Sequence, residues 1–391
     1  MHYNFDEIID RKGSHCVKIE RMTEIWGRND LLPLWVADMD FKTPPCIIEA
    51  IHKRLRHEVL GYTCPHEGYY DSIVGWVHRR YGMALRKEEI QFVPGIVPGI
   101  NTALHALTQK GDKIIVQPPV YHPFRQVIEG TGRRVVNNPL LFKEGRFCID
   151  FAHLNKVING CTLLILCNPH NPGGMVWSLE EMQTLAELCA KHGVLVLSDE
   201  IHADLTLPPC RHLPFAMAGE TAKDLSLTFM APSKAFNMPG LVASHVLVYN
   251  EALRKKLFHY IRYNDLDLGN VFAFLGVEAA YNHGEAWLEQ LLAYLQSNID
   301  FVDGYLKGSM PKIKAMRPQA SYLVFLDCRE LGFATQEALD DFFVDRAGLA
   351  LNSGRLFGVE GTGFMRMNIA TPKVVLQQAL HQLEKAYNTL N

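Results

Sequence analysis

No two cysteines of this chain form a CxxC pair. The nine present, among them Cys16, Cys167 and Cys328, are scattered and odd in number. Neither a disulfide framework nor a structural zinc site is expected, and a cysteine inside an apolar run, such as Cys167 in TLLILCN, reads as a small core residue. Seventeen histidines supply no HExxH spacing, so a metal hydrolase lacks support. GxGxxG is missing, and dinucleotide binding loses its usual mark. Long basic blocks are missing too. The formal net charge is −3, and HKRLRHE (52–58) reads as one polar helix face. Nucleic acid and anionic membranes are therefore poor candidate partners. No apolar run approaches the ~20 residues of a membrane span. The opening MHYNFDEIIDRKG is acidic and holds no hydrophobic signal core. Repeats and low-complexity tracts are absent. Together these absences predict a cytoplasmic protein held by an ordinary hydrophobic core.

The chain does have enough apolar residues for that core. Its 391 residues are 48% hydrophobic and 21% charged, a globular balance that allows one large domain and a smaller one. From about Glu89, short β-rich runs alternate with amphipathic stretches of helix length. IQFV (90–93), KIIVQ (113–117), TLLILCN (162–168), VLVLSDE (194–200), LSLTFM (225–230) and SHVLVY (244–249) read as strands. Near-continuous Val/Ile/Leu strands between helices predict an α/β fold with a mostly parallel sheet covered on both faces. Helix-rich sequence then runs from Glu251 to Lys307. SYLVFLD (321–327) and FMRMNIA (364–370), with helices at 335–346 and 373–388, predict a smaller α+β domain. The first 48 residues are irregular, and periodicity does not say which part they join.

Ligands of open α/β sheets bind beyond the carboxyl ends of the strands. Five places there carry chemistry. VPGIVPGI (93–100) ends a strand and starts a helix, whose first N–H groups form an anion site; a plain strand-to-helix turn is the more common outcome for such a string. QPPVYHPF (117–124) holds Tyr121 among three prolines, where it can stack on a flat ring or simply pack in its loop. NPHNPGG (168–174) freezes Asn171, whose amide can donate to an anionic oxygen. VLVLSDEIHAD (194–204) sets Asp199 and Glu200 at the end of an apolar strand, where a carboxylate needs a cation, from a ligand or from a structural salt bridge. FMAPSKAFNMPGL (229–241) puts Lys234 just beyond a buried strand, where desolvation makes an amine nucleophilic. One ligand meets all five demands. Pyridoxal 5′-phosphate carries a phosphate, a flat ring, a phenolate-like oxygen, a ring nitrogen and an aldehyde.

With these motifs in view, the chain resembles the fold-type I pyridoxal-phosphate enzymes of the aspartate aminotransferase superfamily, and within them the cystathionine β-lyase-type C–S lyases. The resemblance rests on LLPLWVADMDFKTPPCIIEA (31–50), GYT (61–63), NPHNPGG, HGVLVLSDEIH (192–202), PSKAFNMPGL (232–241) and GFMRMNIATP (363–372). It implies a large domain over 49–283 with a seven-stranded-type sheet, and a small α+β domain made of 1–48 with 284–391. It also implies roles. Lys234 would be the Schiff-base lysine, and Asp199 would pair with the ring nitrogen. Asn171 would bond the phenolic oxygen, and Tyr121 would stack on the ring. Ile96, Val97 and Ser233 would hold the phosphate. His202 stands where transaminases of this fold often carry a tyrosine. Tyr62 would reach the phosphate of a neighbouring subunit, implying a homodimer. Arg366, with the backbone near Val36 and Ala37, would clamp the substrate carboxylate. Two positions depart from the aminotransferase pattern. Ala231 and Val242 stand where many of those enzymes place a serine and an arginine on the phosphate, which fits the lyase branch better.

The resemblance predicts α,β-elimination of L-cystathionine or a related cysteine S-conjugate to pyruvate, ammonia and a thiol, with Lys234 or Tyr121 protonating the thiolate. An aminotransferase uses the same groups, and a non-catalytic regulatory protein that binds the cofactor is a third reading. No second cation for a distal carboxylate is evident in the sequence, which disfavours a dicarboxylate transaminase.

Overall fold

The computed structural model describes residues 2–390. Seven strands form the larger sheet: β1 (Ile90–Val93), β2 (Lys113–Val116), β3 (Arg134–Asn137), β4 (Cys161–Cys167), β5 (Leu195–Asp199), β6 (Ser226–Met230) and β7 (Ser244–Leu247). Their spatial order is β1-β7-β6-β5-β4-β2-β3. Strand β7 runs antiparallel to both of its neighbours and the other pairings are parallel. The period of two in β4 explains its unbroken apolar run. Leu163 and Ile165 pack on one face, with Ile100 and Leu104 of the helix Ile96–Leu107. Leu164 and Leu166 pack on the other, with Met182 and Leu185 of the helix Leu179–His192. That second helix is bounded locally: Ser178 and Glu181 form a capping box, and Gly193 ends it in the left-handed region at φ 66°.

Strand β3 was not read from the sequence. Its burial is only partial, and RVVN offers two apolar residues at the sheet edge, too short a run to stand out. A small hairpin, Leu141–Lys143 with Arg146–Cys148, was missed for the same reason.

A second sheet of four antiparallel strands contains β8 (Lys314–Met316), β9 (Leu323–Asp327), β10 (Asn352–Ser353) and β11 (Phe364–Asn368), in the order β8-β9-β11-β10. The N-terminal segment packs on this part. Leu32 and Pro33 pair in parallel with Leu349 and Ala350, and the Leu34 carbonyl accepts from the Asn368 N–H at 2.8 Å. The same segment is tied to the larger sheet. Asn237 donates to the carbonyls of Met39 (3.1 Å) and Phe41 (2.7 Å) and accepts from the Met39 N–H (3.0 Å). Residues 36–41 are thus strung between the two sheets, directly over the loop that follows β6.

Candidate active site

The carboxyl ends of β4, β5 and β6 lie in register, with Cys167 opposite Asp199 and Asp199 opposite Phe229. Beyond them lies a cavity of about 290 Å³. Ile96, Val97, Tyr121, Asn171, Asp199, His202, Ser233, Lys234 and Ala37 all line it. Strand ends from distant parts of the sequence therefore bring together nine of the twelve residues singled out. Arg366 and Val36 lie at its rim. Arg366 bonds Asn171 at 3.1 Å, and Val36 adjoins Ala37 and offers its carbonyl to Asn368 at 2.6 Å. Tyr62 is the exception: its side chain is fully exposed on this chain.

Lys234 Nζ donates to the Ala37 carbonyl at 2.6 Å. Desolvation pulls its pKa from 10.5 to about 8; Asp38 and Asp199 oppose that pull and Arg366 adds to it. Its amine is therefore available in neutral form far more often than a surface lysine's. Asp199 is 4% exposed and shifts the opposite way. Burial raises its pKa from 3.8 to about 7, while the Ile201 N–H bond (3.1 Å) and Lys234 hold it down and Glu200 pushes it up. Among the described residues no cation pairs directly with this carboxylate, a chemistry that suits a protonated ring nitrogen. Glu200, one residue on, points away. It is held by His212 (2.6 Å), Ser198 (2.7 Å) and the Phe215 N–H (2.8 Å), so of the adjacent pair only Asp199 faces the cavity. Asn168 and Asn171 divide in the same way. Asn168 donates to the Leu213 carbonyl at 3.2 Å, and Asn171 turns toward the cavity.

Arg366 is the most telling group. It is 5% exposed, yet no carboxylate pairs with it among the described residues. Its guanidinium donates to Asn171 Oδ1 (3.1 Å), Asn352 Oδ1 (2.6 Å) and the Trp35 carbonyl (3.1 Å), and lies 4.9 Å above the Phe357 ring. Its Nε has no partner among the described residues. Burial lowers its pKa from 12.5 to about 10, so it stays charged at neutral pH. A buried, unpaired guanidinium is costly unless an anion arrives, and a planar fork suits a carboxylate.

His202 is buried with Nδ1 unpartnered, and burial lowers its pKa to about 3, so its ring is neutral. Burial raises the Tyr121 phenol, with Asp199 adding and Arg366 opposing; it stays protonated at neutral pH, with a hydroxyl proton to donate. Val242 lines the cavity too and holds φ 52°, a left-handed conformation that a β-branched side chain rarely adopts.

Several residues of the site escaped the sequence reading. Tyr322 donates from its hydroxyl to the Ala37 carbonyl at 2.9 Å, sharing that acceptor with Lys234. Asn368 donates to the carbonyls of Val36 and Asp38, both at 2.6 Å. Asn352 sits directly across from Arg366 in the β10–β11 pair. Asn368 had a usable signal: it follows Arg366 by two residues on one strand, hence on the same face. Lys18, 1% exposed, is ion-paired to Asp38 (3.0 Å) and Asp40 (2.8 Å), which Arg11 also bridges at 2.6 and 2.9 Å. This cluster stiffens the loop carrying Ala37.

The donor set thus fits pyridoxal 5′-phosphate: an amine of lowered pKa, a buried carboxylate short of a cation, an amide and a helix start with serine beside it. The comparisons with known proteins agree. A family model for aminotransferases of class I and II matches residues 29–383, and the chain belongs to this family, the fold-type I pyridoxal-phosphate enzymes. Within it the chain is of the cystathionine β-lyase and C–S lyase type. It is 41% identical over 385 residues to cystathionine beta-lyase PatB of Bacillus subtilis, covering 98% of this chain and 99% of that one. Cystalysin of Treponema denticola, whose structure contains pyridoxal 5′-phosphate, superposes with a TM-score of 0.96 at 33% identity over 100% of both chains. The PLP-bound C–S lyase of Staphylococcus hominis gives 0.92 at 33% identity, over 99% of this chain and 98% of that one. Pyridoxal 5′-phosphate is the cofactor.

Proposed function

We propose that this protein cleaves the Cβ–S bond of L-cystathionine or a related L-cysteine S-conjugate by α,β-elimination. With water, the products are pyruvate, ammonia and a thiol. The observation that carries the reading is the pairing of an acid-free, buried Arg366 with the low-pKa amine of Lys234 at one cavity.

The cofactor supplies an electron sink for charge that develops at the substrate Cα. Lys234 anchors it covalently until substrate arrives and then carries the proton from Cα, a task that suits an amine with a pKa near working pH. The Ala37 carbonyl, fixed by Tyr322 and by its place between the two sheets, aims that amine. Asp199 would pair with the ring nitrogen and keep it protonated. Asn171 would bond the phenolic oxygen, with His202 beside it as a neutral ring. The start of the helix at Ile96 and Val97, with Ser233, holds the phosphate. Arg366 grips the α-carboxylate bidentately and so orients Cα and Cβ. Tyr121 would stack on the ring, and either it or Lys234 would protonate the departing thiolate. Tyr62 serves the site of a second copy in a cytoplasmic homodimer. The chain divides into a large domain over 49–283 and a small one made of 1–48 with 284–391.

Purified holoenzyme given L-cystathionine, with no keto acid added, is expected to release pyruvate steadily. Lys234→Ala should lose at least ~10³-fold in rate, since it removes both anchor and base. Amino transfer that appears only when a keto acid is supplied would make the protein an aminotransferase instead.

A further inference from the structure

A second cavity, of about 370 Å³, opens on the far side of Tyr121, within the size range that holds small organic ligands. Tyr121 lines both cavities and forms their common wall. The outer cavity is floored by the loop after β10, and that loop is tied to the active site twice. The Phe357 carbonyl accepts from the Val120 N–H at 2.8 Å, and the Phe357 ring lies under the Arg366 guanidinium at 4.9 Å.

Two charges of opposite sign face this space from that loop, Arg355 and Glu360. Neither side chain makes an ion pair or a hydrogen bond among the described residues, and Arg355 acts on Glu337 only through space, helping to lower its pKa. Arg125 in the same wall is taken up by Glu129 (3.0 Å) and Asn137 (2.8 Å). The lining also holds apolar Val120, Phe357 and Val359, beside the amide of Asn137. His122 adds a ring whose pKa burial lowers to about 4 and whose Nδ1 has no partner. It is therefore neutral and able to bond either sign.

A cavity of about 730 Å³ on the opposite side of Lys234 is the competing place for a leaving group. Its charges are already used: Arg11 is paired with Asp38 and Asp40. An incoming charged group would have to break those pairs.

We infer that the cavity beyond Tyr121 is a subsite for the leaving group, and that Arg355 and Glu360 select conjugates whose far end is itself an amino-acid zwitterion. The inference rests on the amino-acid site proposed above. Arg355 takes the distal carboxylate and Glu360 the distal ammonium, while the thioether chain passes Tyr121 and the apolar residues of the lining. Cystathionine and cystine have such a far end, and S-alkyl cysteines do not.

The test uses holoenzyme and ligands that cannot be cleaved. The carba analogue of L-cystathionine, with a methylene in place of sulfur, keeps the distal zwitterion; L-norleucine, the matching analogue of S-ethyl-L-cysteine, lacks it. Calorimetric titration of the unaltered protein should give the carba analogue roughly tenfold or more tighter binding, the scale of hydrogen bonds to charged groups. Arg355→Met should abolish most of that preference and Glu360→Gln part of it, with the affinity for L-norleucine moving less than about twofold on the same scale. Equal affinities in the unaltered protein would overturn the inference. So would a preference that survives both substitutions, or a parallel loss for both ligands. Neither ligand has a Cβ–S bond, so the titration is independent of the elimination; failure of pyruvate release from L-cystathionine overturns the reaction alone.

Discussion

Asp199 illustrates how one residue's surroundings become a measurable property of the whole protein. Folding raises its pKa from 3.8 to about 7, so the folded apoprotein holds a proton that the unfolded chain has released. Between those values the folded state binds more protons, and stability attributable to this group falls as pH rises. The difference in melting temperature between apoprotein and its Asp199→Asn variant should therefore shrink, or turn against the parent, as pH climbs from about 4 to about 7, and then level off. A flat difference across that range would mean that Asp199 is not desolvated. Cofactor should reduce the dependence, because a ring cation favours the ionised carboxylate. Glu200, equally buried, is bonded by His212 and Ser198 instead.

The element that most constrains the site is a loop rather than a helix or strand. Residues 36–41 carry the carbonyl that holds Lys234, and five hydrogen bonds with Asn237 and Asn368, two ion-paired cations and Tyr322 all converge on this short segment. Asn237 contributes twice. It spans the gap with hydrogen bonds to Met39 and Phe41, and it tolerates φ 49°, which asparagine does better than most residues. Asn237→Ala is expected to cost about 2–4 kcal/mol of stability by chemical denaturation, from lost bonds and left-handed strain. It should also lower kcat, because the Ala37 acceptor loses its support. A variant with unchanged stability and unchanged kcat would show that the loop is held by its ion pairs alone.

At the scale of the whole molecule, the chain leaves Tyr62 fully exposed, with Val59 and Leu60 each more than 60% exposed beside it. An exposed apolar cluster of this kind is a usual mark of association. Sedimentation should give twice the 44.3 kDa chain mass. Subunit exchange tests the shared site directly. Lys234→Ala and Tyr62→Ala proteins should each be poorly active alone. When mixed and allowed to exchange, they should regain activity, because a hybrid dimer contains one site with both residues intact. Mixing without recovery would place Tyr62 outside the partner's site.

Much of this was legible in the linear order of residues. The strands β1, β2, β4, β5, β6 and β7 announce themselves because a strand buried on both faces must be apolar throughout. The residues at their carboxyl ends inherit a common location from the parallel topology. Lys234, Asp199 and Asn171 could be chosen for that reason, and the family pattern around them is specific. Other features depend on approach in space, which local pattern does not encode. The weak edge strand β3 exists only because β2 pairs with it. Glu200 and Asp199 are adjacent in sequence, and only packing turns one toward His212 and the other into the cavity. Arg366 was marked by the family pattern, but only the structure shows that it is buried with no carboxylate beside it among the described residues. Arg355 and Glu360 face one cavity only because the loop after β10 folds back against Val120. The sequence by itself determined the alternation of strands and helices and the chemistry at the strand ends, since both follow from periodicity and residue type. The tertiary structure alone decided which charges are paired, which are buried without a partner, and which segments meet across the cavity, because those depend on distances between residues far apart in the chain.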